Sequence, residues 1–244
     1  MKSSKLEKFE PKKLFEEFTN SFAGYMGIDD IRKMFYSKAY LIYLAKKNNI
    51  KLQMPSFSDY GEVIEIIGIG FDRLLKKLLD FYTKDRKDSK DIKVINEYLI
   101  LKDIKDLFDK FNKTNTINKE LDDKLFEKMS KLTKEEIIEI FIEHSIEFKK
   151  YPTKDFDISS KSIIELVTKL LDIKSNENIL DLCSGNGDFL STLTKNYKKL
   201  NLNGIEINKD IAIISRIRLS VLSDNNAEII LGDALTYDFD EKFD

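Results

Sequence analysis

Asn178-Ile-Leu-Asp181-Leu-Cys-Ser-Gly185-Asn-Gly187-Asp-Phe-Leu190 decides how this chain is read. Ile179, Leu180 and Leu182 make a short apolar run that reads as a buried strand, two glycines follow, and a helical pattern opens near Asp188. Gly185 and Gly187 carry no Cβ atom, so they permit a tight turn and let a ligand approach the backbone. The first N–H groups of the following helix have no partner inside that helix. Together these features predict a nucleotide-type crevice at the carboxyl end of a parallel strand.

Charge decides which ligand suits the crevice. A dinucleotide fingerprint needs a third glycine where this chain has Leu190, and it seats a pyrophosphate on the helix N-terminus. Here Asp181 and Asp188 flank the turn and would repel a pyrophosphate. They suit a ligand that carries an ammonium and a sulfonium, and S-adenosylmethionine is that ligand. Two further carboxylates extend the pattern. Glu206 ends a second apolar strand from about Leu202, and Asp233 ends a third within Ile229-Ile-Leu-Gly-Asp-Ala-Leu235. Each follows the one before by about one strand–helix unit. Three neighbouring strand tips therefore each carry an acid on one rim. In this reading Asp181 orients the methionine end, Glu206 accepts the ribose hydroxyls, Ile207 packs on the adenine and Asp233 accepts from its amino group. Phe189 closes the pocket from the helix side or packs in the core.

Residues 151–244 resemble the front half of a class I S-adenosylmethionine-dependent methyltransferase, and more narrowly the adenine-N6 DNA methyltransferases of the type I modification-subunit kind. That family's first motif, Asp-Pro-x-Cys-Gly-x-Gly-x-Phe-Leu, is similar to Asp181-Leu-Cys183-Ser184-Gly185-Asn186-Gly187-Asp188-Phe189-Leu190. Its Gly-x-Glu is similar to Gly204-Ile-Glu206-Ile207, and its Gly-Asp-Thr-Leu to Gly232-Asp233-Ala234-Leu235. Ahead of the first strand, Ile158-Ser159-Ser160 stands where the family has a Tyr-Thr-Pro segment that touches the methionine end. Ser159 keeps the hydroxyl and Ser160 replaces the proline. Cys183 and Ser184 are shifted from the usual Cys-Gly. The resemblance implies a cofactor site built from Ser159, Asp181, residues 183–189, Glu206, Ile207, Asp233 and Ala234.

It also implies DNA, a specificity subunit and a restriction subunit as partners. The family's catalytic Asn/Asp-Pro-Pro-Phe/Tyr, which holds and stacks a flipped-out base, has no counterpart here, because the prolines are Pro11, Pro55 and Pro152. The expectation is a chain that stops short of its catalytic residues, which lie beyond Asp244, and that does not transfer methyl groups by itself.

The expected fold class is α/β with an all-α N-terminal domain over residues 1–150 and a partial Rossmann-like parallel sheet over residues 151–244. The chain has 244 residues, enough for one large or two modest domains, and its net charge of −2 offers no overall basic signature for nucleic acid. One cysteine and one histidine make no disulfide and no Cys/His zinc site. No apolar run spans a membrane and the N-terminal residues are polar, which points to the cytoplasm.

Helices are expected near Lys12–Phe22, over Asp29–Lys47, Tyr60–Tyr82, Ile92–Phe111 and Lys119–Leu132, and from the capping box Thr133-Lys-Glu-Glu136 onward. Gly68-Ile-Gly70 reads as a close helix contact or a break, His144 as a surface or packing residue, and Pro152 as a boundary. Ser160 or Ser162 can cap a helix to Leu171, and Asn208 caps a helix in which Arg216 and Arg218 read as solvated. An incomplete parallel sheet predicts an open edge and self-association. Two alternatives stay open: a methyltransferase acting on protein or RNA, and a helical assembly module with a non-catalytic version of the fold.

Overall fold

The computed structural model describes residues 9–52, 69–86, 92–113, 119–142, 159–223, 226–239 and 242–244. Gly68, His144 and Pro152 lie outside the described residues. Local chemistry sets the helix ends. Pro11 occupies the first turn of α1 (Pro11–Phe22), where its missing N–H costs nothing. Asp29 and Asp30 begin α2 (Ile28–Lys47) and Lys46 and Lys47 end it, as the helix dipole favours. Then come α3 (Ile69–Arg86), α4 (Ile92–Lys113), α5 (Lys119–Lys131) and α6 (Lys134–Ile142). The capping box forms as expected: Thr133 N donates to Glu136 Oε2 at 2.7 Å, and Glu136 N to Thr133 Oγ1 at 3.1 Å. At Gly70, a Cβ atom would stand 2.6 Å from the Phe126 ring, so this glycine serves close helix contact.

Helix α2 is more deeply embedded than an amphipathic helix with one apolar face. It is buried around its whole circumference, including Arg32, Lys33 and Lys38, because α1, α3, α5 and α6 surround it. Charges in that setting need partners. Lys38 pairs with the buried Asp122 and lies over the Phe71 ring, 4.3 Å from its centroid. Lys47 pairs with Glu97 at 2.7 Å, and Glu97 also accepts from Tyr82 at 2.7 Å.

After this layer come α7 (Lys161–Leu170), β1 (Asn178–Asp181), α8 (Asp188–Asn196), β2 (Asn201–Glu206), α9 (Lys209–Leu222) and β3 (Asn226–Leu231). Ser160 caps α7 by accepting from Ile163 N at 3.3 Å, and Asn208 caps α9. The three strands form a parallel sheet in the order β1-β2-β3, with Asp181 opposite Gly204 and Glu206 opposite Leu231. The strand–helix–strand pattern is the one expected from the sequence. Ile179, Leu190, Leu193, Leu202, Ala212, Leu219 and Ile229 form its core.

Helix α9 belongs to two cores at once. Ala212 and Leu219 face the sheet, while Ile213, Ile214, Ile217 and Val221 enter the core of the helical layer. Polar contacts follow the same seam: Lys33 to Asp210 at 2.7 Å, and the Tyr40 and Ser220 hydroxyls at 2.9 Å.

The expected open sheet edges are partly closed. On β3, Asn96 Nδ2 donates to the Ala227 carbonyl at 3.3 Å and Arg216 Nε to the Ile229 carbonyl at 2.9 Å. Beside β1, Asp244 N donates to Asn178 O at 3.0 Å and Asp244 Oδ2 accepts from Asn178 N at 2.9 Å. No helix among the described residues is long and apolar enough to cross a membrane.

The buried Lys38–Asp122 pair gives a direct test of this core. Asp122→Ala strands a buried ammonium and is expected to cost about 3–5 kcal/mol in chemical denaturation, whereas Lys38→Met with Asp122→Leu recovers most of that loss. Equal losses in the two proteins would show that the charge pair is not what matters there.

Candidate functional site

Strand β1 stops at Asp181 because the backbone turns there. Asp181 Oδ1 accepts from Cys183 N at 3.2 Å, closing the turn over its own side chain. Leu182, expected in the buried strand, is therefore on the surface with 52% exposure. Cys183 is exposed and free. Ser184 then returns to β2, donating to the Ile205 carbonyl from its backbone N at 2.8 Å and from its hydroxyl at 3.2 Å.

That return needs Gly204. A Cβ atom there would lie 2.7 Å from Ser184 Cβ and 2.7 Å from Ile229 Cδ1. Gly187 has a separate requirement. It caps α8 in the left-handed region at φ 77°, and a Cβ atom would meet Ser215 Oγ of α9 at 2.6 Å.

The acids fall into three environments. The Asp181 carboxyl is pushed above its usual range by loss of water, with the Glu206 charge adding to this and the Cys183 N–H opposing it. Glu206 is buried and pins the loop: Oε2 accepts from Gly185 N at 2.9 Å and Oε1 from Asn208 N at 2.7 Å. Asp188 pairs through Oδ1 with Arg218 at 2.8 Å, and its Oδ2 is enclosed without a hydrogen bond.

A hollow of about 320 Å³ opens above this loop. Ser159, Asp181, Cys183, Ser184, Gly185, Asn186, Asp188 and Phe189 line it, together with Ile163, Ile164 and Val167. Phe189 also packs partly against the sheet core, so its two expected roles coincide. Glu206, Ile207, Asp233 and Ala234 lie beyond the hollow, on the rims of β2 and β3. Ile207 is 69% exposed, and Asp233 Oδ1 accepts from Leu235 N at 3.0 Å in a turn of its own. Gly232 N donates to the Glu206 carbonyl at 3.1 Å, which keeps the second and third rims adjacent. Among the described residues no group of three His, Cys, Asp or Glu could hold a metal ion.

Of two arginines expected in solvent, Arg218 is buried, whereas Arg216 is partly exposed and paired. Arg216 bonds Asp103 at 3.1 Å as well as the Ile229 carbonyl, and Arg218 is 3% exposed beneath the loop. The signal was present in the helix itself. Ile211 to Leu222 is apolar on more than one side, so Arg218 falls on a face that packs against protein. Val167 of α7, which the sequence reading did not single out, also lines the hollow.

The fold is a three-stranded parallel sheet with a glycine turn after its first strand, set behind a helical layer. No family model matches the chain. Its sequence is 32% identical over 113 residues to the type II methyltransferase M.CvrRI of Paramecium bursaria Chlorella virus XZ-6E, which is 44% of this chain and 28% of that protein. Its fold matches the type I restriction-modification methyltransferase subunit of Streptococcus thermophilus, with a TM-score of 0.54 and 11% identity over 90% of this chain and 59% of that one. It also matches the modification subunit of a putative type I restriction enzyme from Vibrio vulnificus YJ016, with a TM-score of 0.57 and 10% identity over 96% of this chain and 58% of that one. The chain spans less than two thirds of the length of each of these relatives.

Two substitutions test the loop. Gly187→Ala imposes a left-handed conformation on alanine and a clash with Ser215, at an expected cost of about 2 kcal/mol, of which Ser215→Ala recovers only the steric part. Asp181 behaves in the opposite way. A carboxyl whose folded pKa lies above its unfolded value holds its proton more tightly when folded, so it removes stability as pH rises through that window. Asp181→Asn is therefore expected to raise the melting temperature of the ligand-free protein at neutral pH, with the gain vanishing below about pH 4. A gain that persists at low pH would exclude this electrostatic cause.

Proposed function

We propose that this chain is the S-adenosylmethionine-binding part of a DNA adenine-N6 methyltransferase of the restriction-modification type. The observation that carries the reading is the hollow itself. It is walled by a glycine turn and by the carboxylates of Asp181 and Asp188, with Glu206 immediately behind, and among the described residues no lysine or arginine lines it. An acidic, partly desolvated hollow favours a cationic guest. The raised Asp181 carboxyl and the unbonded Asp188 Oδ2 are the groups such a guest would relieve.

S-adenosylmethionine, when bound, supplies an activated methyl group on a sulfonium. The residues of this chain would hold it. Asp181 accepts from the ammonium of the methionine end, and Ser159 offers a hydroxyl there. Cys183, Ser184 and Asn186 shape the turn with Gly185 and Gly187. Glu206 already accepts one backbone N–H on each oxygen and keeps lone pairs for the ribose hydroxyls. Ile207, exposed on the β2 rim, offers an apolar face to adenine, and Asp233 and Ala234 bound its amino edge. Ile163, Val167 and Phe189 exclude water from the methionine end.

The finer parts of the reading come from the resemblance. They are the adenine-N6 target, DNA and the specificity and restriction subunits as partners, a cytoplasmic location, and a division into a helical module over residues 1–150 and a cofactor module over residues 151–244. Because the sequence contains no Asn-Pro-Pro-Phe, these 244 residues are not expected to methylate DNA alone.

Calorimetry with S-adenosylhomocysteine tests the proposal on the intact chain. One site is expected, with Asp181→Asn and Glu206→Gln each weakening it about tenfold or more, the size of one lost hydrogen bond to a charged group. A protein that ignores the ligand, or two variants that bind as well as the parent, would overturn the assignment.

A further inference from the structure

Arg218 is buried beneath the hollow, and its guanidinium reaches three groups on two separate segments. Nη1 donates to the Asn186 carbonyl at 2.6 Å and meets Asp188 Oδ1 at 2.8 Å, while Nε donates to the Phe141 carbonyl in the last turn of α6 at 3.2 Å. Asn186 and Asp188 stand on either side of Gly187, the left-handed residue that starts α8. Nη1 therefore grips both flanks of the left-handed turn, and Nε of the same planar group fastens them to the helical layer. Arginine suits this task because its donors lie in fixed directions, whereas a lysine is a single point charge on a flexible stem.

Among the described residues this is a charged tie between the 186–188 segment and α6. The other loop anchors, Ser184 to Ile205 and Gly185 to Glu206, attach it to β2. The Asp188 carboxylate takes its hydrogen bond from Arg218 on one oxygen and from nothing on the other. Without the guanidinium, Asp188 would be an unpaired charge in the wall of the hollow and would have to turn toward water.

We propose that Arg218 is a positioning residue for the cofactor loop: it makes the shape of the Gly185–Gly187 turn, and hence ligand affinity, depend on the docking of α6 of the helical layer. The ligand half of this inference rests on the cofactor assignment above; the loop half does not. Arg218 touches no ligand in this scheme. It acts by holding the Asn186 carbonyl and the Asp188 carboxylate in the orientation the hollow requires.

The test uses Arg218→Ala and Arg218→Lys in the full chain, with three readouts. Arg218→Ala leaves Asp188 unpaired and lowers the melting temperature. Arg218→Lys restores the charge and most of that stability but not the fork. In Arg218→Lys the Gly185 and Gly187 amides are expected to exchange with solvent about tenfold faster, while the Ile205 amide of β2 keeps its parental rate. S-adenosylhomocysteine binding by calorimetry should weaken about tenfold in the same protein. Should Arg218→Lys fail to fold, Asp188→Asn removes one limb of the fork and is read by the same exchange ratio. An exchange rate at Gly187 that changes only in step with Ile205 would reduce Arg218 to ordinary core support and overturn the proposal. A loosened loop with unaltered affinity would overturn it as well. If the parent protein itself shows no ligand binding, the cofactor assignment fails, and the exchange ratio alone decides whether Arg218 holds the loop.

Discussion

Burial of helix α9 between two cores is the constraint on which the rest of the molecule depends. Its isoleucines 213, 214 and 217 belong to the helical layer, and Ala212 and Leu219 belong to the sheet. A three-stranded parallel sheet of four- and six-residue strands buries little by itself. Parallel sheets need cover on their faces, and here part of that cover is a helix which is in turn covered by α2, α4 and α6. Prising the helical layer away would expose one side of α9 and strand Arg216, Arg218 and Lys33, whose partners lie across the seam. The two parts therefore stabilise each other through one element.

This arrangement explains what could and could not be read from the amino-acid order. The glycine turn and the caps at Thr133, Ser160 and Asn208 are local: each depends on residues a few positions apart, and each formed as expected. What could not be read depends on packing between distant segments. Lys38 looks like part of a wet helix face until Asp122, far along the chain, is placed against it. Arg218 looks solvated until Phe141 and Asn186 close over it. Leu182 erred in the other direction. It continues an apolar run, but the strand has already ended at Asp181, whose carboxylate turns the backbone.

The site illustrates a tension between stability and binding. Asp181 is held where its charge is unwelcome, facing Glu206 with little water to screen either. Folding alone would favour an amide there. Glu206 avoids the penalty because two backbone N–H groups already solvate it, which is how a buried carboxylate is usually retained. The acids of the rim are thus unequal: one organises the loop, one remains under electrostatic strain, and one, Asp233, sits in its own turn near solvent.

The Gly204-x-Glu206 spacing can be derived from this geometry without appeal to a ligand. Side chains two residues apart on a strand project on the same side. The loop leaving β1 crosses β2 on that side. At Gly204 it passes so closely that Ser184 Cβ occupies the space of any side chain. Two residues further on, the next residue of the loop, Gly185, presents its N–H to the Glu206 carboxylate. A larger residue at 204 would lift the loop and break the bond at 206, and a shift of one residue would turn the acid to the opposite face. Glycine and acid must therefore stand two apart for the loop to close over β2, and the place offered to a ligand is a consequence of that closure.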